Sequence, residues 1–182
     1  MMIAMRWIAF FLLSLVTVAH AHTVPSLTIE AVFQPDRSYT LRINVDPRLF
    51  LSDQPTSLPP VEADWYRTQS PDQLKQTEQR AADYLKKAIG LLFATKPADL
   101  PTIIFKPMDG ATNEPLKTES KEVHLLAEMQ GTATGADFQI VIHQSTNSSV
   151  ILLNCLGDQM ERRPQVLFPG ETSRPFAIEA KK

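Results

Sequence analysis

The segment Leu27–Val45 reads LTIEAVFQPDRSYTLRINV, and its alternation of apolar and polar residues decides the fold. Leu27–Phe33 and Tyr39–Val45 each place apolar side chains at every second position. Such alternation is typical of β-strands that have one buried face and one hydrated face. Pro35-Asp36-Arg37-Ser38, which lies between the two runs, has the composition of a turn. The sequence therefore predicts a β-hairpin here.

Shorter apolar runs in the second half of the chain predict further strands. These runs lie at residues 102–106, 122–128, 138–143, 150–155, 165–168 and 176–178. The runs 138–143 and 150–155 flank Thr146-Asn147-Ser148-Ser149 and predict a second hairpin, whose two apolar faces indicate strands covered on both sides. The complete pattern predicts a mainly β, β-sandwich-like antiparallel domain of about seven strands.

One long helix is expected to pack on this sheet. Ser70-Pro71-Asp72-Gln73 is a strong helix start, because it combines a capping serine, a proline at the first helical position and a capping-box glutamine. Apolar residues recur at helical spacing after it, so we expect a helix over about residues 71–93. The preceding residues, 46–69, include four prolines and predict an ordered connection without a long helix or strand.

The chain starts with the layout of a secretory signal peptide. Arg6 precedes an apolar run, Trp7–Val18, and Ala19-His20-Ala21 fits a cleavage site. The apolar run has about a dozen residues, whereas a membrane-spanning helix needs about 20. We therefore expect residues 1–21 to be removed. The mature chain, residues 22–182, would form a single extracytoplasmic domain in the periplasm or outside the cell.

The mature chain predicted in this way carries little charge. The whole sequence has a formal net charge of −2, and the signal segment holds one arginine and no acidic residue, so its removal changes −2 to −3. The sequence also contains no block of basic residues, so we expect no nucleic-acid partner. Cys155 is the single cysteine, which excludes an internal disulfide. Its leucine-rich surroundings favour a buried thiol over an intermolecular disulfide or a reactive group. Oligomeric state is not specified by these features.

The common catalytic signatures are absent from the sequence, including the nucleophile elbow, the zinc-protease motif and glycine-rich phosphate loops. Glu62 and Asp64 lie beside Trp65 and Tyr66, and two carboxylates next to aromatic rings could serve a hydrolase acting on sugars. Acidic residues on a hydrated loop explain the same pair more simply. We expect no enzyme activity, and the hydrolase reading ranks last.

Three histidines follow the predicted cleavage site, namely His22, His124 and His143. Cleavage after Ala21 would make His22 the first residue, able to chelate copper(II) through its α-amino nitrogen and its imidazole ring. A second imidazole, from His124 or His143, would complete a three-nitrogen site that suits copper(II). The alternative is that the cleavage site merely tolerates a histidine and that the other two are ordinary strand residues.

Several stretches together resemble the extracytoplasmic N-terminal part of HupE/UreJ-type membrane proteins, which are named for hydrogenase and urease accessory roles. These stretches are Ala19-His20-Ala21-His22, Ser26 before the first strand, Asp46-Pro47-Arg48-Leu49-Phe50-Leu51, the mid-chain helix and Leu167–Phe176. The resemblance implies a module that works with membrane helices and with nickel or another transition metal, and it implies no catalytic residues. The present sequence contains no such helices, so we expect a soluble module.

These observations lead to one expectation and one main alternative. We expect a non-enzymatic exported binding or accessory module whose partner is a membrane protein of the same system. The alternative is a periplasmic copper- or nickel-binding protein that uses His22 together with His124 or His143.

Overall fold

The computed structural model describes residues 25–160 and 163–178. The predicted signal peptide and His22 lie outside the described residues. Within them, the protein is mainly β, with two sheets arranged as a sandwich and one long helix. The strands are β1 (Leu27–Phe33), β2 (Ser38–Val45), β3 (Ile89–Phe93), β4 (Lys96–Ala98), β5 (Ile104–Asp109), β6 (Val123–Thr132), β7 (Asp137–Ile142), β8 (Val150–Leu156), β9 (Gln159–Met160), β10 (Gln165–Leu167) and β11 (Phe176–Ala177).

The helices occupy the middle of the chain. They are α1 (Arg48–Leu51), a 3-10 turn (Pro55–Ser57), α2 (Ala63–Arg67) and α3 (Pro71–Ala88). The connection between β2 and α3 therefore contains only short helices, which confirms the prediction drawn from its prolines. No helix within residues 25–160 and 163–178 combines the length and apolar character needed to cross a bilayer.

The larger sheet has the strand order β10-β8-β1-β2-β6-β5, with β9 paired to β8. The predicted first hairpin is confirmed, because β1 and β2 pair antiparallel from Thr28 opposite Asn44 to Phe33 opposite Tyr39. β1 and β8 run parallel to each other, and the other pairs of this sheet are antiparallel. The smaller sheet has the order β11-β7-β3-β4.

The prediction of a second hairpin is wrong. β7 pairs with β3 in the smaller sheet, whereas β8 pairs with β1 in the larger one. The residues between them carry the chain from one sheet to the other, and the Leu27 backbone N–H donates to the Ser149 carbonyl to join this loop to β1. Alternation reveals a strand and its faces, but it does not reveal which strand lies beside it.

The long helix ends five residues earlier than predicted. Its start is confirmed, since the Ser70 and Gln73 side chains form both bonds of the capping box. At its end, Ile89 adopts an extended conformation and the chain continues directly as β3. Ile89, Leu91 and Phe93 are buried, whereas Gly90 and Leu92 between them are only partly buried. Every second residue is therefore buried, as in a strand, although the sequence was also compatible with the 3.6-residue period of a helix.

The strand count exceeds the expected number of about seven, because eleven strands lie within the described residues. The unpredicted members are β3, which was expected to be helical, and the short strands β4 and β9. β4 includes Pro97 and is tolerated because it forms the edge of the smaller sheet, where a missing backbone donor disrupts no ladder.

One apolar core joins the inner faces of both sheets and α3. Phe33 of the larger sheet contacts Phe138 of the smaller sheet with 4.9 Å between ring centroids, and Phe93 lies 5.5 Å from Phe138. From α3, Ala81, Leu85 and Ala88 face the same core at helical spacing. Sheet-on-sheet packing of this kind produces the sandwich.

Candidate functional site

Most candidate residues lie at one end of the sandwich. β1 and β8 both start at this end, with Leu27 opposite Val150. The antiparallel strand β2 ends there, and β6 begins beside it, with Val45 opposite Leu125. Because the strand register brings these termini together, the residues before β1 and β8 and those after β2 surround a common area.

A buried ion pair follows β2. The Asp46 and Arg48 side chains are only 3% and 2% exposed. Arg48 Nε donates to Asp46 Oδ1 at 3.1 Å and Oδ2 at 2.9 Å, and its Nη2 donates to Oδ2 at 2.6 Å. Arg48 Nη1 also donates to the Leu58 carbonyl at 3.1 Å. The pair therefore attaches the proline-rich connection to the end of β2.

His124 adjoins this ion pair. Its Nδ1 lies 2.9 Å from Asn44 Oδ1, and its Nε2 lies 3.6 Å from Asp46 Oδ2. Burial by itself would raise the pKa of Asp46, but His124 and the hydrogen bonds from Arg48 outweigh it and lower that pKa to about 2. Since a guanidinium already neutralises Asp46, electrostatics disfavour a metal cation at His124 Nε2. The geometry supports a structural role for this histidine.

His143 has a different environment. It follows β7, its side chain is exposed, and its backbone N–H donates to the Ala88 carbonyl at 2.9 Å. The described residues contain no group of three His, Cys, Asp or Glu side chains suited to a metal ion. His22 lies outside them, so the metal site that includes His22 stays a prediction.

A groove of about 750 Å³ lies at this end of the molecule. We call it the α1–α3 groove, because α1 with Ser52 and Asp53 forms one wall and the second half of α3 forms another. Its lining residues are Leu49, Phe50, Leu51, Ser52, Asp53, Arg80, Asp83, Tyr84, Lys87, Ala88, Ser145, Thr146 and Asn147. The sequence does not predict this groove, because its walls come from three separate parts of the chain.

The groove combines an apolar floor with a charged rim. The Tyr84 hydroxyl donates to Asn147 Oδ1 at 3.1 Å, and burial raises the Tyr84 pKa to about 12. Arg80, Asp83 and Lys87 recur around Tyr84 at helical spacing, so both charge signs face the opening. A surface of this composition suits a short polypeptide segment, which carries both apolar and charged groups.

The two acids proposed for a hydrolase do line one cleft, of about 490 Å³. Glu122 joins Glu62 and Asp64 there, because residues 62 and 122 form an isolated antiparallel bridge. However, Arg67 Nη1 donates to Asp64 Oδ1 at 2.6 Å, and Asp64 is 79% exposed. This arrangement is a solvent-exposed ion pair, and it does not supply the shielded carboxyl group that a general acid needs.

The outer face of the larger sheet is open to solvent. The register aligns one row from Val166 through Ile151, Thr28, Asn44 and Leu126 to Lys106, and a second from Leu153 through Glu30, Arg42 and Glu128 to Ile104. No residue in these rows is buried, although β8 was predicted to be covered on both sides. That prediction is wrong for the outer face of β8.

This outer face has two unlike halves. Towards β10 it carries Ile151, Leu153 and Val166, which we call the apolar strip, and exposed Phe168 follows two residues after Val166. Towards β5 it carries ion pairs of Arg42 with Glu30 at 3.3 Å and with Glu128 at 3.6 Å, and of Lys106 with Glu128 at 3.3 Å. The half towards β10 is therefore apolar, whereas the half towards β5 combines these ion pairs with the apolar side chains of Leu126 and of the 59% exposed Ile104.

Cys155 is a buried free thiol, as predicted. It is 6% exposed, and burial raises the pKa of the thiol above its usual value, with a smaller contribution from Glu30. Because the thiolate is the reactive form, these conditions oppose reactivity.

Comparison with known proteins finds no matching family model, no matching curated protein and no matching solved structure.

Proposed function

We propose that this protein is a non-enzymatic, exported binding module whose apolar strip docks on a membrane protein of the same system. The apolar strip carries the proposal. A strand in a sheet with one open face usually alternates apolar and polar residues, yet β8 places Ile151 and Leu153 on the open side. Covering a fully exposed apolar side chain contributes about 1.5–3 kcal/mol, and Val166, which is 56% exposed, has more surface left to cover than the partly buried Ile151 and Leu153.

The charged half of the same face would set the orientation of the partner. Arg42 and Lys106 are about half exposed, whereas Glu30 and Glu128 are 33% and 18% exposed, and all four lie on the strands from β1 to β5. Charges at the rim of an interface favour one register and exclude unsuitable partners. An apolar area next to a mixed-charge area is therefore the composition that a specific docking face requires.

Two features of the sequence support export and a membrane partner. Residues 1–21 have the layout of a signal peptide, which would place the domain outside the cytoplasm. The resemblance to HupE/UreJ-type proteins, where such a region precedes membrane helices, indicates the kind of partner.

Photo-crosslinking in the producing cell tests this function. A photoreactive amino acid at Val166 is compared with one at Lys106, since these side chains have similar exposure on opposite halves of the same face. We expect a membrane protein to be crosslinked more strongly from Val166 than from Lys106, which would lie at the rim of the interface, and Leu153→Asp to abolish the product. A product that is equal from both positions, or no membrane protein from Val166, would contradict the proposal.

A copper- or nickel-binding function is the second candidate, because one contact favours it. Ser148 Oγ donates to the Pro25 carbonyl at 2.8 Å, which holds the start of the described chain beside the loop that begins at His143. His22 is three residues before Pro25, a span of at most about 10 Å. His143 is exposed, whereas both ring nitrogens of His124 face Asn44 or Asp46. The proposed ligands are therefore His22 and His143.

Copper titration of the exported protein tests this candidate after mass spectrometry has established its first residue. We expect His22→Ala and His143→Ala each to weaken copper(II) binding strongly. His124→Ala is the matched control and should bind copper like the unaltered chain, provided that circular dichroism shows it to be folded. Equal, weak binding by all four proteins would end the hypothesis.

A further inference from the structure

β5 forms one edge of the larger sheet, and the loop after β5 covers the second half of this edge. The Asp109 backbone N–H donates to the Glu114 carbonyl at 2.7 Å, and the Pro107 carbonyl accepts from the Leu116 N–H at 3.2 Å. These bonds lie on the side of β5 that faces away from β6. Because alternate residues of a strand direct their backbone groups to the same side, Phe105 also faces away from β6.

The first half of the same edge is uncovered. In the part of the chain that the structure describes, the Ile103 backbone makes no hydrogen bond, and the outward N–H and C=O of Phe105 make none either. Residues 101–106 alternate between partly buried and exposed, so the extended pattern of β5 starts before Ile104. We call residues 103–105 the open edge. An unpaired edge of this kind is a template for another strand.

The open edge is complementary to itself. Ile103 and Phe105 pack partly against the core, whereas Ile104 is exposed on the outer face. Pro101 and Pro107 lie three residues to either side of Ile104, and neither has the backbone N–H that a longer pairing would use. The apolar stretch and its boundaries are thus symmetric about Ile104, which is what a two-fold contact between identical surfaces requires.

We propose that two copies of this protein pair antiparallel through the open edge, with Ile104 of one copy opposite Ile104 of the other. Phe105 of each copy then exchanges both of its backbone hydrogen bonds with Ile103 of the other copy. Lys106 lies opposite Thr102 in this register, so no like charges face each other across the pair.

The same register covers apolar side chains on both faces of the sheet. The two Ile104 side chains meet on the outer face, and Ile103 meets Phe105 of the other copy on the inner face, which extends each core. Between Ala98 and Ile104, each chain passes from the smaller sheet to the larger one. A paired strand therefore turns away from the edge before it meets Leu116.

This inference goes beyond the docking function and does not depend on it, because β5 and β10 are opposite edges of the larger sheet. Two-fold pairing of edge strands leaves both outer faces on the same side, so the dimer would present two apolar strips in one direction. The paired segment is short, and interfaces below about 1,200 Å² are typical of weak association. We therefore expect a dimer whose population depends on concentration.

Disulfide trapping tests the register of the pair. Ile104→Cys is compared with Lys106→Cys, each in a Cys155→Ala background. In the proposed pair the Cα atoms of the two residues 104 lie about 4.5 Å apart, within disulfide range, whereas those of the two residues 106 are about 14 Å apart. We expect a covalent dimer from Ile104→Cys and none from Lys106→Cys. Equal yields from the two positions, or no covalent dimer from Ile104→Cys, would overturn the proposal.

Sedimentation gives a second readout that needs no cysteine. The weight-average mass of the unaltered chain should rise towards about twice the monomer mass as its concentration increases, because pairing is reversible. Ile104→Lys places two ammonium groups opposite each other and should remove this rise. Thr40→Lys is the matched control and should retain the rise, because it adds the same charge to the outer face two strands away from the open edge. A mass that stays monomeric at every concentration, or an equal loss of the rise in both folded variants, would contradict the pairing.

Discussion

At the residue scale, the buried pair of Asp46 and Arg48 is the most consequential side-chain contact. Both groups are almost fully excluded from water, and each depends on the other for charge compensation. Removing water from an ion costs several kcal/mol, so the pair is tolerated only because its geometry is good. The ion pair attaches the connection after β2 to the end of that strand. This connection includes α1, which forms one wall of the α1–α3 groove.

Asp46→Asn should destabilise the protein by about 3–5 kcal/mol, because it leaves the buried Arg48 guanidinium without its carboxylate. Urea unfolding followed by circular dichroism measures the change. Glu30→Gln, which removes an exposed ion pair with Arg42, is the control and should cost no more than about 1 kcal/mol. Similar losses in both variants would show that the buried pair has no special role.

The same carboxyl group should make stability depend on pH. The pKa of Asp46 is about 2 in the folded protein and near 3.8 when the chain is unfolded. Because folding lowers this pKa, its stabilisation of about 2 kcal/mol is complete above the unfolded value and is lost as the pH falls from about 4 to about 2. Unfolding free energies across that window should fall more steeply for the unaltered chain than for Asp46→Asn. Parallel curves would contradict this assignment.

At the element scale, the junction of α3 and β3 shows how packing overrides a local pattern. Leu92 continues the helical spacing of Leu85 and Ala88, and Gly90 is the only poor helix former among these residues. In the structure, Ile89 pairs opposite Ile142 and Leu91 opposite Ile140, and both apolar pairs are buried in the core. A strand here completes the smaller sheet, which a longer helix would leave without β3.

Gly90→Ala should therefore not lengthen α3. It should raise the free energy of unfolding by about 0.5–1 kcal/mol. An added Cβ would meet His143 Nε2 at 3.5 Å and Val141 Cβ at 3.7 Å, which are ordinary contacts. Gly131→Ala is the contrasting variant, because its Cβ would lie 2.5 Å from the Tyr39 hydroxyl and displace that buried ring, at a cost of about 1–3 kcal/mol. Thermal unfolding and far-ultraviolet circular dichroism compare the two. Increased helix content in Gly90→Ala would refute the explanation given for β3.

At the scale of the whole molecule, a cluster of aromatic rings connects the two sheets. Phe138 contacts Phe33 across the sandwich and Phe93 within its own sheet. Since the sheets share this core, we expect them to unfold in a single transition.

Phe138→Ala should cost about 3–5 kcal/mol, because it leaves a cavity between the sheets. Phe168→Ala removes an equally large but 56% exposed ring and should change stability by about 0.5 kcal/mol or less. Chemical denaturation with two probes, tryptophan fluorescence and circular dichroism, measures both effects. Two separate transitions in the unaltered chain would show that the sheets fold independently.

The local features of the fold could be predicted from the sequence, and its pairings could not. The hairpin of β1 and β2 and the capped start of α3 depend on residues close together in the chain, so alternation and capping chemistry sufficed. The partner of β8 is β1, more than a hundred residues earlier, and no local pattern carries that information.

The candidate site shows the same difference between local features, which the sequence predicts, and contacts between distant segments, which it does not. Some of these residues could be interpreted from the sequence. Cys155 was expected to be buried, and it is. Glu62 and Asp64 were expected to be hydrated loop acids; both are exposed, but Asp64 lies in α2 and Glu62 directly precedes this helix. The α1–α3 groove and the Asp46–Arg48–His124 contacts were not foreseen, because each joins segments that only folding brings together.

The sequence by itself determined the strands of the first hairpin, the start of the long helix and the mainly β character. These follow from side-chain periodicity and capping, which act over a few residues. Only the tertiary structure decided that residues 89–93 form a strand, that β7 and β8 belong to different sheets, and that the face of β8 opposite the core stays open. The reason is that burial of apolar surface is a property of the whole molecule, and it selects among local conformations that the sequence leaves nearly equal.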